Sequence, residues 1–231
     1  MQTDYHMHST HSPDGHNSPY ELCLQALALG MDAIAITDHV EWSPRGRTMC
    51  PDFPQYFADI VVCREEFGPQ GLRVLSGAEF GNPHHHQDEV QAILNAHHFD
   101  VVIASVHWVG GRNIHDARCF DDRDPYDVYA DYFRSMADMT ATVEFDMLAH
   151  FDRVFATGTN RFGPPDIGRL EAEIQPVLRA LADRNRTLEI NTRFLRAEPG
   201  WNDGLVTVLR WYAEAGGKNV ALNSDAHRVA E

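Results

Sequence analysis

A closed, parallel α/β barrel is the fold that the sequence predicts, on three observations. Seven short apolar runs alternate with helical segments along the 231 residues, a pattern that calls for a parallel sheet. Histidines or carboxylates follow the first, second, third, fourth, fifth and seventh of those runs. A barrel gathers the C-terminal ends of its strands at one mouth, whereas an open sheet would string the same residues along a line. No linker, low-complexity tract or repeat divides the chain, so residues 1–231 are expected to form one domain.

The first strand is expected over Thr3 to Met7, running into a polar loop. Ser18 caps a helix with Pro19 in its first turn, amphipathic to Leu29 and closed by Gly30. Ala33-Ile34-Ala35-Ile36-Thr37 is the continuous apolar run of a buried parallel strand, ending on Asp38-His39. A loop rich in Pro, Arg and Gly follows from Glu41 to Pro51, long enough to belong to an active site. A helix over 53–67 leads to a strand over Leu72–Leu75 that ends in Ser76-Gly77-Ala78-Glu79. A helix over 87–96 precedes the strand Val101–Ser105, which ends in Val106-His107-Trp108. Beyond a polar loop over 113–124, a helix is expected over 125–139, its Tyr126, Tyr129, Tyr132 and Phe133 at core spacing. Then come a strand over 145–149 stopping at His150, a helix over 166–184, and a strand over 188–190 ending in Asn191-Thr192-Arg193. A helix over 203–215, closed by Gly216-Gly217, and the strand Val220–Leu222 complete the alternation.

Composition narrows the function. A formal net charge of −15 argues against a basic surface for long nucleic acid and against anionic membranes. No 18-residue apolar stretch suggests a membrane span, and no signal peptide is recognised. Cys23, Cys50, Cys63 and Cys119 form no Cys-x-x-Cys pair, so reduced thiols and a cytoplasmic location are expected. A small phosphorylated substrate stays open, because bound metal ions can invert the local sign of charge.

The chemistry is concentrated at the strand ends. His6 and His8 stand two residues apart on one strand face, and Asp14 lies in the turn Ser-Pro-Asp-Gly that can fold back toward them. Asp225-Ala-His227 repeats the spacing. With His39, Glu79, His107 and His150 these make nine nitrogen and oxygen ligands at one mouth, enough for three divalent ions if Glu79 bridges. No cysteine joins the set, which leaves zinc, manganese or iron. Three divalent ions against three carboxylates leave a positive site inside an acidic protein, a place for a phosphate. Bound metal brings the pKa of water to about 7 and so supplies a hydroxide nucleophile.

These residues resemble the polymerase and histidinol phosphatase (PHP) superfamily. The match runs along nearly the whole chain: Asp4-x-His6-x-His8-Ser9 with Ser12-x-Asp14-Gly15, Ile36-Thr37-Asp38-His39, Gly77-x-Glu79, Ser105-Val106-His107, His150-x-Asp152, and Ser224-Asp225-Ala226-His227. The resemblance implies a distorted (β/α)7, TIM-like barrel with a trinuclear metal site. It places one ion at His6, His8, Glu79 and Asp225, a second at Glu79, His107 and His150, and a third at Asp14, His39 and His227. Ser105-Val106-His107-Trp108, the Tyr129-x-x-Tyr132-Phe133 helix, His150-Phe151-Asp152 and Glu189-Ile190-Asn191-Thr192-x-x-Leu195-Arg196 resemble the histidinol-phosphate phosphatase branch. That branch implies a phosphate-side arginine at Arg196, whose fork can bind two oxygens. Two departures touch the substrate contacts: Arg153 comes early and Arg161 late for a further basic partner, and Arg193 stands where a small residue is common.

The expected activity is therefore hydrolysis of a phosphate monoester, L-histidinol phosphate first, by a metal-bridging hydroxide. Arg196 holds the phosphoryl group, and Asp14, His39 or a metal-bound water protonates the leaving alkoxide. Arg153, Arg161, Arg193, Trp108 and His115 are further candidate substrate contacts. Asp38 and Asp152 neighbour ligand histidines and can orient them. Trp42 can join Trp108 as an apolar wall, whereas His84-His85-His86 reads as a surface loop. Two other readings remain: a phosphodiesterase, exonuclease or phosphatase acting on small nucleotides, and a non-catalytic metal-binding module of a larger assembly.

Overall fold

The computed structural model describes residues 1–197 and 202–231, with the side chains of Arg196 and Ala197 outside the description. The chain runs through β1 (Thr3–Asp4), α1 (Pro19–Ala28), β2 (Ala33–Trp42), β3 (Thr48–Met49), α2 (Phe53–Phe67), β4 (Arg73–Gly81), α3 (Gln87–Ala96) and β5 (Val101–Ser105). It continues through β6 (Trp108–Val109), β7 (Arg112–Asn113), α4 (Pro125–Thr142), β8 (Met147–Leu148), α5 (Arg153–Phe162), α6 (Glu171–Asp183), β9 (Thr187–Asn191), α7 (Thr192–Ala197), α8 (Asn202–Glu214) and β10 (Val220–Asn223).

Among the described residues seven strands pair in parallel, in the order β1-β2-β4-β5-β8-β9-β10. The last meets the first, so the sheet closes into the expected barrel. The seam is thin. Just beyond the two-residue β1, Met7 bridges Ala226, Asp225 donates its N–H to the His6 carbonyl (2.9 Å) and His8 donates to that of Ala226 (2.8 Å). Asp4 adds a side-chain fastening, accepting from the Ser224 amide at 3.2 Å.

The two faces of the barrel wall divide the apolar residues. Ile34, Ile36 and Val40 of β2 pack outward with Leu22, Tyr56, Ile60 and Phe67 of α1 and α2. Ile103, Met147 and Ala149 fill the barrel axis. A larger cluster joins α4, α6 and α8 to the other side of the wall, through Tyr132, Phe133, Leu178 and Val208. The register is tight inside: a Cβ on Gly77 would stand 2.5 Å from the Thr37 methyl, so β2 and β4 approach only because glycine is there.

Several expected boundaries shift. β1 is shorter than Thr3–Met7, and β8 shorter than 145–149, because at the barrel mouth the chain bends to aim ligands. β2 runs on to Trp42 and turns back through β3, so the 41–51 loop begins as an antiparallel hairpin. Trp108–Asn113 is a second hairpin, turned by Gly110 (φ 56°) and Gly111 (φ 76°). Both positions need a left-handed backbone, which glycine takes freely. The polar loop after it tucks in Ile114, Cys119 and Phe120. Helix α5 has no counterpart in the sequence reading.

Candidate metal centre

Register brings the ligands to one place. His39 of β2 pairs with Glu79 of β4, and Glu41 with Gly81 one level nearer the mouth. Residues two apart on a strand share a face, so His39 and Glu41 both point inward. His6 and His8 leave β1 on the same alternation, with Met7 turned to the outer core. His107 follows β5, His150 follows β8, and Asp225 and His227 follow β10. His150 (φ 25°) and Asp225 (φ 54°) both take the left-handed backbone, which turns their side chains back over the opening.

Glu79 is the centre and is wholly buried. Its Oε2 lies 2.8 Å from His39 Nδ1, 3.4 Å from His6 Nε2 and 3.5 Å from His8 Nε2. Its Oε1 lies 3.0 Å from His150 Nε2 and 3.3 Å from His107 Nε2. Asp225 Oδ1 stands 3.2 Å from His8 Nε2 and 3.6 Å from His6 Nε2. On the outer side Asp14 Oδ2 stands 3.6 Å from His39 Nε2 and 3.5 Å from His227 Nε2. All nine expected ligands therefore converge. His16 lies within 2.9 Å of Arg228 at the cavity wall, whereas Asp14 reaches His39 and His227 of the cluster.

The electrostatics follow from crowding. Burial alone would push the Glu79 carboxyl up, but His39, His6 and His107 hold it well below the usual carboxylate range. Burial would likewise raise Asp225, and His6 and His8 hold it low. Burial would lower His107, yet Glu41 and Glu79 lift it to about 9. His8 goes the other way, lowered by burial and by His39 to about 3.

Whether these residues suit metal ions is tested by atoms without partners. His6 Nε2, His8 Nε2, His39 Nδ1 and Glu79 Oε2 are buried and make no hydrogen bond. An unsatisfied buried polar atom costs about 1–3 kcal/mol. Four of them aimed at one point, at 2.8–3.5 Å but without hydrogen-bond geometry, fit cations between them. The described residues contain three overlapping groups with this potential: His6, His8 and Asp225; His8, His39 and His227; and His39, Glu79 and His107. The groups share members, so the side chains alone do not divide cleanly among separate ions.

A cavity of about 360 Å³ opens onto the cluster, lined on its far wall by Arg153, Arg193, Phe194 and Arg228. Arg153 donates to His115 Nδ1 (Nη2, 2.6 Å) and lies 5.1 Å from the centre of the Phe194 ring. Arg193 faces Glu231 at 3.8 Å. Trp108 lines an adjoining recess with His39 and His107. Arg161 is elsewhere: it pairs with Asp121 at 2.9 Å, on the outward side of α5. Trp42 stacks on His86 and Phe80 and forms no wall of the cavity. The side chain of Arg196, the expected phosphate arginine, lies outside the described residues.

Two buried carboxylates escaped the sequence reading. Glu41 reaches His107 Nδ1 (2.7 Å) and Glu189 reaches His6 Nδ1 (2.8 Å). The available signal was positional: Glu189 stands between Leu188 and Ile190 of a strand and Glu41 between Val40 and Trp42, where a buried charge needs a partner. Asp38 acts as expected but through a serine, accepting from Ser9 and from Ser12, whose Oγ lies 3.5 Å from His8 Nδ1.

A parallel barrel with histidine and carboxylate ligands converging at its C-terminal mouth defines a metal-binding barrel protein, and residues 4–193 match the family model of the PHP domain. The chain belongs to the PHP family. It is 28% identical to a histidinol-phosphatase of Lactococcus lactis, over 97% of this chain and 83% of that one. It is 26% identical to a probable histidinol-phosphatase of Clostridium acetobutylicum, over 98% and 87%. The crystal structure of the Lactococcus histidinol phosphate phosphatase, complexed with zinc, L-histidinol and phosphate, superposes with a TM-score of 0.89 at 27% identity, covering 99% of this chain and 87% of that one. A putative histidinol phosphatase from Listeria monocytogenes shares the fold, with a TM-score of 0.83 at 18% identity over 99% and 96%.

Proposed function

We propose that this protein is a metal-dependent phosphomonoesterase that hydrolyses L-histidinol phosphate to L-histidinol and phosphate. The observation that carries the reading is Glu79: a wholly buried carboxylate within 3.5 Å of five histidine nitrogens, one of its oxygens without a hydrogen bond. His6, His8, Asp14, His39, Glu79, His107, His150, Asp225 and His227 hold three divalent ions, with Glu79 as the shared ligand. When bound, the ions activate water as the nucleophile and withdraw charge from the phosphoryl oxygens.

The rest falls to the chain. Arg153 and Arg193 face the cluster across the cavity and bind phosphoryl oxygens as the negative charge builds. Asp14, on the open side of the cluster, is kept ionised by His227 and His39, so it orients the water that gives its proton to the leaving alkoxide. His115 accepts from Arg153 and so fixes the guanidinium. Trp108 and Phe194 give the leaving group an apolar surface. Among the described residues no helix is long and apolar enough to cross a membrane, and all four cysteines are free thiols; the reading places the enzyme in the cytoplasm as one PHP domain.

Phosphate release by the zinc- and manganese-loaded protein, with L-histidinol phosphate beside a nucleoside 3′,5′-bisphosphate, tests the reading. Strong preference for histidinol phosphate, lost in His107→Ala, is the expected result. Preference for the nucleotide, or full activity in His107→Ala, overturns it.

A further inference from the structure

Glu41 and Glu189 hold no place among the ligands, yet the fold makes unusual room for both. They are about 4% and 2% exposed. Glu41 lies across from Gly81, where a Cβ would stand 1.9 Å from its Oε2, so the neighbouring strand carries glycine where the carboxylate sits. Glu41 Oε2 is 2.7 Å from His107 Nδ1, and its Oε1 accepts the Trp108 indole N–H at 2.6 Å. Glu189 Oε1 is 2.8 Å from His6 Nδ1 and accepts from the Asn223 side-chain amide at 2.9 Å. Its Oε2 accepts the His150 backbone N–H at 2.6 Å.

An indole N–H, an amide NH2 and a backbone N–H only donate, so each must meet an oxygen. The carboxylates are thereby held in place, and each leaves an oxygen facing a histidine Nδ1. Nδ1 then carries the hydrogen, and the Nε2 lone pair points at Glu79 and the orphaned cluster. Glu189 does one thing more. The left-handed backbone at His150 is strained for a residue with a side chain and persists only when its surroundings hold it. It is held on both sides: Glu189 takes the N–H, and Tyr132 Oη donates to the carbonyl at 3.1 Å.

We infer that Glu41 and Glu189 are positioning residues that set the tautomers of His107 and His6, and that Glu189 also fixes His150, so that one buried carboxylate places ligands from two strands together. The assignment rests on the reading of His6, His107 and His150 as metal ligands. It also distinguishes the two carboxylates. In Glu41→Gln the amide keeps one oxygen and turns its NH2 toward either the indole or His107. In Glu189→Gln an oxygen kept on the His150 N–H turns the NH2 toward His6 Nδ1. Nδ1 must then accept, which moves the hydrogen to Nε2, where the metal should bind. Each substitution disturbs one ligand: at 41 only His107 is at stake, whereas at 189 the amide orientation decides whether His6 or the His150 backbone loses its partner.

The test uses the zinc-loaded wild type, Glu41→Gln and Glu189→Gln. Long-range proton–nitrogen NMR correlations read the imidazole tautomers, and chelator competition reads the stepwise zinc affinities. In the wild type His6 and His107 carry their hydrogens on Nδ1 and bind through Nε2. Glu41→Gln and Glu189→Gln each lose about 10–100-fold in affinity at one step, the second with either the His6 hydrogen moved to Nε2 or the His150 amide signal displaced. Wild-type zinc on Nδ1 of either histidine overturns the assignment with no variant needed. Variants that melt earlier without zinc yet bind it as tightly as the wild type have lost only structure, and that too overturns it while leaving the metal reading intact. A wild type that takes up no zinc removes the metal reading and the assignment with it.

Discussion

At the scale of single residues the site is a contest between protons and metal. His107 carries its proton to about pH 9 in the metal-free chain because Glu41 and Glu79 face it, against the effect of burial. A raised histidine stabilises the fold fully below its ordinary value near 6.5, and that contribution is lost as the pH climbs through about 9. A metal ligand must give the proton up. Zinc added to the metal-free protein at pH 8 is therefore expected to release protons, seen as a buffer-dependent binding heat, and His107→Ala releases fewer. Zinc uptake at pH 8 with no protons released would contradict this charge arrangement. The convergence of the nine side chains was legible in sequence because most of them end an apolar run, where a strand fixes the side chain's direction, and Asp14 lies in a turn that folds back on them. Glu41 and Glu189 were not, because their partners lie 66 and 183 residues away. Only the closed barrel brings those distances to a hydrogen bond.

At the scale of elements, strands and long helices announced themselves and short pieces did not. The run Val101–Ser105 has no other use than a buried strand, and α4 displays its aromatic face at helical spacing. Helix α5 reads Arg-Val-Phe-Ala-Thr-Gly-Thr-Asn-Arg-Phe, poor in helix formers. It forms because Val154 and Phe155 are buried and because Gly158 lets the Tyr129 ring lie against it. A Cβ there would stand 2.1 Å from Tyr129 Oη. Gly158→Val is expected to destabilise the protein by about 1–3 kcal/mol, as overpacking does, and to lower its melting temperature by several degrees. Zinc content should hold, since α5 carries no ligand. An unchanged melting temperature would mean that α5 does not pack against α4 in this way.

At the scale of the whole molecule the barrel was predictable from the placement of its chemistry, since ligands after six of seven strands need a common mouth. The contacts of its seam were not, because they depend on Asp4, Met7 and Ala226 meeting across more than 200 residues. His6 and His8 stand on one side of that seam and Asp225 and His227 on the other. On the proposed ligand set, metal would fasten the barrel across this seam. Saturating zinc at about 1,000 times its dissociation constant adds about 4 kcal/mol of stability. Chelation should then quicken hydrogen exchange at the amides of His8 and Asp225 before those of β4 and β5, and equal protection in both states would refute the fastener role.

The same seam sets an order of events in the making of the protein. His6 and His8 are made early and wait through the synthesis of six further barrel strands for Asp225 and His227. A chain stopped before residue 225 has most of a barrel and an incomplete set of ligands, so unfinished molecules have no complete metal centre. The metal centre is complete only once β10 and the residues just after it are made.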